Sequence, residues 1–113
     1  MIGWLRRLLG GGAGVSRLSP LEAQNKAKEG AIILDVRTLA ERKEVKIAGS
    51  QSIPLDQLPQ QWEKLPKGRE IICQCRSGGR SAQAAQFLSD KGFKVYNLAG
   101  GLNAWQQAGL PTK

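Results

Sequence analysis

Two cysteines, two arginines and two glycines lie together in the stretch CQCRSGGRS, residues 73–81. A cysteine thiolate is a strong nucleophile, but the chain contains no histidine that could take the proton from Cys75. Gly78 and Gly79 allow backbone N–H groups to point towards a common centre, and the helix predicted after them adds the positive end of its dipole. The stretch therefore predicts a site where a thiolate is stabilised without a base.

The side chains around Cys75 indicate that this thiolate meets an anion. Arg76 and Arg80 are permanently charged and forked, so they can bind an anionic substrate. A cysteine that merely ends a buried strand is the structural alternative, but neighbouring arginines and glycines have no role in packing. We expect Cys75 to be the nucleophile and the rest of the loop to bind substrate: Arg76, Ser77, Gly78, Gly79, Arg80 and Ser81.

Three other residues have alternative interpretations. Cys73 lies two positions before Cys75, on the same face of a predicted strand, so it is either a buried core residue or a second thiol that resolves an intermediate. A metal site would need further Cys or His ligands, and the chain has none, so we expect no metal site. Trp62 and Trp105 occur at helical spacing with leucines, which favours a place in the core over a ligand platform.

Strands and helices alternate along the chain around this loop. Short apolar runs predict four strands, at residues 31–36, 51–55, 70–75 and 94–98, and helical patterns cover residues 19–29, 58–65, 81–92 and 101–109. This alternation predicts an α/β fold, a small parallel sheet flanked by helices on both faces. Ligands bind such sheets at the carboxyl ends of the strands, where Cys75 is predicted to lie.

The composition restricts the class of protein. A chain of 113 residues with 41% hydrophobic and 23% charged residues is typical of one globular domain. The net charge is +8, but the Lys and Arg residues are dispersed along the chain, so we expect no nucleic-acid partner. Two cysteines without a secretory signal favour a reducing compartment, and we expect a cytoplasmic protein.

Residues 1–16 differ from the rest of the chain. They contain no acid, two adjacent arginines and three consecutive glycines, and Trp4 and its apolar neighbours share one face of a helical wheel. The apolar part is too short for a signal peptide or a membrane span. The segment is therefore a disordered leader or an amphipathic tail that contacts a membrane surface or a partner through residues 1–9, and the domain covers residues 17–113.

Three segments resemble the signatures of a known family. LDVR (residues 34–37), CRSGGRS (75–81) and NLAGGLNAWQQAGLP (97–111) look like those of single-domain rhodaneses, the thiosulfate:cyanide sulfurtransferases, and the resemblance covers residues 18–111. It implies a rhodanese-like fold with Cys75 as the sulfur-accepting cysteine. It also implies that Asp35 and Arg37 support the loop, with Arg37 bonded to Glu41.

The chain departs from the family pattern in the connection after Arg37. VKIAG keeps only Ile47 and Gly49 of a Gly-His-Ile-Pro-Gly segment, and Arg42 replaces a common aromatic residue. We expect these changes to affect local packing and substrate preference rather than the chemistry of the cysteine loop.

The loop and the resemblance together predict a sulfurtransferase. It would move sulfane sulfur from thiosulfate or a related small anion to cyanide, a thiol or a protein thiol through a persulfide on Cys75, as a monomer without metal or organic cofactor. One alternative is a non-catalytic rhodanese-like module that binds protein partners; such modules usually lack the cysteine. The other is a cysteine phosphatase or arsenate reductase of the same fold. Only residues 76–79 separate Cys75 from Arg80, one fewer than in those phosphatases, which predicts a tighter N–H ring.

Overall fold

The computed structural model describes residues 15–113, which form one sheet of five parallel strands. The strands are β1 (Val15–Leu18), β2 (Ile32–Asp35), β3 (Gln51–Ser52), β4 (Ile71–Gln74) and β5 (Val95–Leu98). Their order in the sheet is β1-β5-β4-β2-β3. The strand that leads into Cys75, β4, is therefore central, with β5 and β2 on either side.

Residues 15–113 also contain five α-helices. They are α1 (Pro20–Lys28), α2 (Leu39–Glu44), α3 (Leu58–Gln61), α4 (Gly79–Asp90) and α5 (Gly101–Gln107), and two 3-10 turns occupy Leu55–Gln57 and Trp62–Lys64. Helices α3 and α4 pack on one face of the sheet, whereas α1 and α5 pack on the other. The predicted α/β fold, a parallel sheet with helices on both faces, is confirmed.

Side chains that alternate along the central strands supply the two cores. Leu34, Cys73 and Val95 point to the face covered by α4, and the residues that precede or follow them point to the face covered by α5. Trp105 is buried in the α5 core, and half-buried Trp62 packs against the other. Both tryptophans therefore contribute to packing, as predicted.

Two elements were not predicted. Strand β1 pairs with β5 at the sheet edge, with Val15 opposite Val95, and the predicted start of the domain at residue 17 falls inside it. The strand is short and largely exposed, so it has no apolar run to detect. Helix α2 buries none of its residues and therefore lacks a hydrophobic face.

Two predicted elements are shorter or less regular than expected. Strand β3 contains only Gln51 and Ser52, although the N–H groups of Ile53 and Leu55 still donate to the Asp35 and Val36 carbonyls beyond its end. The helix predicted over residues 58–65 is α3 followed by a 3-10 turn. Of the predicted tail, Val15 and Ser16 belong to β1, whereas residues 1–14 lie outside the described part of the chain, and the alternatives for them stay predictions. Within residues 15–113, no helix has the length and apolar composition needed to cross a membrane.

Candidate active site

The cysteine loop connects the central strand to the longest helix. Cys75 directly follows β4, and α4 begins at Gly79. Gly78 precedes the helix with a φ of +121°, in a region that side-chain-bearing residues rarely adopt. Cys75 therefore lies at the carboxyl end of a central strand. Gly78 turns the chain so that the amino terminus of α4 faces the sulfur.

The sulfur of Cys75 lies in a ring of hydrogen-bond donors. It accepts hydrogen bonds from the N–H groups of Gly78, at 3.1 Å, and Ser81, at 3.4 Å, and the Ser81 hydroxyl lies 3.3 Å away. Burial alone would raise the pKa of the Cys75 thiol, but these hydrogen bonds outweigh it and hold the pKa below its ordinary value. The donors around the sulfur therefore favour the thiolate over the thiol.

Asn97, on the neighbouring strand β5, fixes one of these donors. The Ser81 hydroxyl, whose single hydrogen can go either to the sulfur or to Asn97, lies 2.6 Å from Asn97 Oδ1, and Asn97 Nδ2 donates to the Gly78 carbonyl over 3.2 Å. One amide side chain therefore orients two residues that contact the Cys75 sulfur. Asn97 was not predicted as a site residue, although it is the first residue of the NLAGG segment that carries part of the family resemblance.

The first turn of α5 supports the loop from behind. The N–H of Leu102 donates to the Cys75 carbonyl at 2.8 Å, and the N–H of Asn103 donates to the Arg76 carbonyl at 3.1 Å. Gly101 has a φ of +57° and lies against these two carbonyl groups. A glycine is required here because a methyl group would overlap with the backbone of Cys75 and Arg76.

Both arginines of the loop bind one carboxylate, that of Glu41 in α2. Arg80 donates through both terminal nitrogens, at 2.7 and 3.0 Å, and Arg76 donates through one, at 3.3 Å. The Arg80 guanidinium holds the pKa of Glu41 well below its usual range, and hydrogen bonds from Thr38 add to this effect. Arg76 and Arg80 keep 47% and 38% of their side-chain surface exposed, so they still line the mouth of the site.

The expected bond between Arg37 and Glu41 is wrong. Arg37 donates to both carboxylate oxygens of Asp35, at 3.0 and 2.8 Å, and to the Val45 carbonyl at 2.7 Å. Residues two apart at the end of a strand share a face, so Arg37 lies beside Asp35 rather than beside the loop. Asp35 and Arg37 are fully buried on the face opposite Cys75, and they support the β2 to α2 connection.

Arg42, the residue that replaces an aromatic, joins this buried pair. It donates to Asp35 Oδ2 at 3.2 Å and to the hydroxyl and carbonyl oxygens of Ser50 at 3.0 and 2.6 Å. Arg42 therefore forms a polar bridge between β2 and the start of β3.

Cys73 is separated from solvent and from the loop donors. Its side chain is fully buried in the core under α4, and burial raises the pKa of its thiol to about 12. A thiol of this kind stays protonated at neutral pH and is a weak nucleophile. This environment favours the core interpretation of Cys73 over a resolving thiol.

The comparisons with known proteins agree with this geometry. The model of the rhodanese-like domain family matches residues 19–108. This chain belongs to that family. Among relatives of this rhodanese-like domain, a sulfurtransferase of Allochromatium vinosum is 38% identical over 84 residues, which cover 74% of this chain and 78% of that protein. A putative sulfurtransferase of Bacillus subtilis is 35% identical over 86 residues, or 76% of this chain and 84% of the relative.

A solved structure shows the same likeness for the fold. The rhodanese-related protein of Thermoplasma volcanium is 30% identical, with a TM-score of 0.82, and the match covers 87% of this chain and 97% of that one. Together with the two relatives named sulfurtransferases, it supports a sulfurtransferase kind of activity for this rhodanese-like domain at the level of the family.

Proposed function

We propose that this rhodanese-like domain takes sulfane sulfur from thiosulfate or a related small anion and passes it on through a persulfide on Cys75. The observation that carries the proposal is the environment of the Cys75 sulfur, where the Ser81 hydroxyl and the N–H donors of the loop lower the pKa of the thiol. In the first step the thiolate attacks the outer sulfur of thiosulfate. A new S–S bond forms, the S–S bond of the donor breaks, and sulfite leaves with its electron pair.

The second step returns the enzyme to its starting state. Cyanide or a thiolate attacks the outer sulfur of the Cys75 persulfide, the S–S bond breaks, and thiocyanate or a new persulfide leaves while the Cys75 thiolate is restored. The N–H groups of Gly78 and Ser81 stabilise the negative charge in both forms. Because the donors around the sulfur favour the thiolate form of the nucleophile, no step requires a general base.

The proposal also includes the binding of the donor, the acceptor and the compartment. Arg76 and Arg80 bind the anionic end of the donor at the mouth of the site. The acceptor in the cell is a small thiol or a protein thiol. The domain works as a monomer in a reducing compartment, the cytoplasm.

Mass spectrometry tests the covalent intermediate. After incubation with thiosulfate, the intact protein should gain the mass of one sulfur atom, mapped to Cys75 and removed by cyanide as thiocyanate. Cys75→Ser should abolish both the adduct and the turnover. Cys73→Ser, which changes the buried thiol on the same strand, should keep both, and a folded Cys73→Ser protein without turnover would mean that Cys73 takes part.

The same preparation separates the remaining alternatives. A folded protein that forms neither adduct nor thiocyanate with any sulfane-sulfur donor would be a non-catalytic binding module. Hydrolysis of an aryl phosphate that Cys75→Ser abolishes would indicate a phosphatase. We expect neither result, since Cys75 is present and the loop from Cys75 to Arg80 is one residue shorter than in phosphatases of this fold.

A further inference from the structure

The charge at the mouth of the site is smaller than the loop sequence indicates. Arg76 and Arg80 both bind the carboxylate of Glu41, which takes the bidentate face of Arg80. Two guanidinium charges and one carboxylate charge leave one net positive charge. A donor with two negative charges therefore meets a mouth that balances only one of them.

Glu41 is a built-in part of this mouth. The capping box of α2 holds its side chain, because Oε1 accepts from the Thr38 N–H at 3.0 Å and from the Thr38 hydroxyl at 3.1 Å. With the two arginines, the carboxylate has donors on both oxygens. A carboxylate held by so many donors stays ionised and in place at neutral pH.

An open cleft of about 370 Å³ adjoins Arg80. It is lined by Val36, Thr38, Pro54, Leu55, Asp56 and Arg80. Val36 follows β2 and hydrogen-bonds through its N–H to the carbonyl of Gln74, the residue before Cys75, and Leu55 bonds in turn to the Val36 carbonyl. The apolar wall therefore lies beside the carboxyl end of β4, next to the cysteine loop.

The walls of this cleft suit an apolar group and not an additional anion. Val36, Pro54 and Leu55 contribute aliphatic surface, and the acid among the lining residues, Asp56, repels negative charge. Arg80 is shared between the cleft and the loop. A ligand with one negative charge at Arg80 could therefore place an apolar substituent against Leu55.

We propose that the preferred donors are organic sulfane-sulfur compounds with one negative charge and an apolar substituent, rather than the inorganic dianion thiosulfate, with Glu41 and Leu55 setting this preference. The inference rests on the proposed sulfur transfer. For an organic thiosulfonate, the Cys75 thiolate attacks the outer sulfur, a Cys75 persulfide forms, the S–S bond of the donor breaks, and the sulfinate leaves with its electron pair.

A series of donors tests the cleft in the unaltered protein. We would measure kcat/KM with cyanide as acceptor for methane-, ethane- and propanethiosulfonate, whose leaving groups differ little in reactivity. If the alkyl chain enters the cleft, kcat/KM should rise about threefold for each added methylene group. Equal values across the series would contradict an apolar subsite.

Variants test Glu41 and Leu55 separately. Each result is the ratio of kcat/KM for two donors, compared between the variant and the unaltered protein, so that differences in the reactivity of the donors cancel. Glu41→Gln should raise the thiosulfate to methanethiosulfonate ratio of kcat/KM about tenfold, because the mouth gains one positive charge. Leu55→Asn should lower the propane- to methanethiosulfonate ratio about tenfold. Leu21→Asn alters an equally apolar but exposed residue of α1, and both ratios should stay at their original values.

The outcomes distinguish this inference from the proposed function. If no donor forms a Cys75 persulfide, the sulfur transfer itself is wrong. If all donors react but the Glu41 and Leu55 variants keep the original ratios, only the donor preference is wrong. Should Glu41→Gln fail to fold, Asp56→Asn removes the exposed acid of the cleft and should shift the charge ratio in the same direction, about threefold; an unchanged ratio would contradict the inference.

Discussion

At the scale of single residues, the thiols of Cys73 and Cys75, which only Gln74 separates, have pKa values shifted in opposite directions. Burial raises the pKa of Cys73 to about 12, whereas hydrogen bonds lower that of Cys75 although its side chain is also buried. The difference comes from the turn after Cys75, which aims the donors of Gly78 and Ser81 at one sulfur. The acidity of a cysteine here depends on the donors around its sulfur and not on the residue type.

Replacing Ser81 measures how much a side-chain donor adds to this loop. Ser81→Ala removes the hydroxyl, which lies 3.3 Å from the sulfur and can turn its hydrogen from Asn97 to the thiolate, but keeps the backbone N–H, so the pKa of Cys75 should rise. The rate of alkylation by iodoacetamide increases with pH as thiolate forms, and in the variant this increase should occur at higher pH. Sulfur transfer at neutral pH should fall about tenfold.

Ser89→Ala, at the far end of α4, is the matched control and should alkylate like the unaltered protein. An alkylation profile of Ser81→Ala that overlays this control would mean that the backbone donors alone set the thiolate pKa.

The residues of the site divide into those that the sequence revealed and those that it did not. Cys75 and its loop were predicted because their chemistry lies in adjacent residues. Glu41 and Asn97 act through contacts with α4 from distant parts of the chain, and no local pattern marks such contacts. The pairing of Arg37 with Glu41 was wrong because it followed from the family resemblance, while strand geometry places Arg37 beside Asp35.

At the scale of elements, the loop is held between two helix termini. The first turn of α4 faces the Cys75 sulfur, and the first turn of α5 donates to the Cys75 and Arg76 carbonyls. The central strands and these two helices could be predicted because buried apolar runs and glycine boundaries mark them. Strand β1 and helix α2 could not, because an exposed edge strand and a helix without buried residues carry no hydrophobic period.

Gly101 and Gly109 allow the support from α5 to be tested. Gly101→Ala introduces a methyl group that overlaps with the Cys75 carbonyl oxygen and lies 2.7 Å from the Arg76 carbonyl group, so the loop must move. We expect a loss of about 2 to 4 kcal/mol in the free energy of unfolding and a large loss of sulfur transfer. Urea unfolding and the alkylation rate of Cys75 measure the two effects.

Gly109→Ala supplies the control for backbone strain. Its φ of +73° is similarly unfavourable for alanine, but a methyl group there meets nothing within 4 Å. This variant should lose about 1 kcal/mol and keep the reactivity of Cys75. Equal effects of the two substitutions would show that strain alone, and not the contact with the loop, explains the result at Gly101.

At the scale of the whole molecule, the site depends on a connection that crosses between the two cores. The chain between β2 and β3 carries Glu41 to the cysteine loop, and it is anchored on the opposite face by Asp35, Arg37 and Arg42. Asp35 and Arg37 have no exposed side-chain surface. The buried ion pair of Asp35 and Arg37 and the carboxylate of Glu41 therefore belong to one segment of the chain. A substitution in the buried pair should change how Glu41 is positioned against the loop arginines.

Asp35→Asn tests this coupling. The substitution keeps the shape of the side chain but leaves the buried charge of Arg37 without its carboxylate, and breaking a buried pair in this way costs about 3 to 5 kcal/mol. Glu70→Gln removes the acid from the partly exposed pair with Lys26, where a loss of less than about 1 kcal/mol is expected. Urea unfolding compares the two variants, and similar small losses would mean that the interior around Arg37 accommodates its charge without Asp35.

A folded Asp35→Asn protein should also lose preference among donors, since the segment that positions Glu41 is loosened, whereas Glu70→Gln should not.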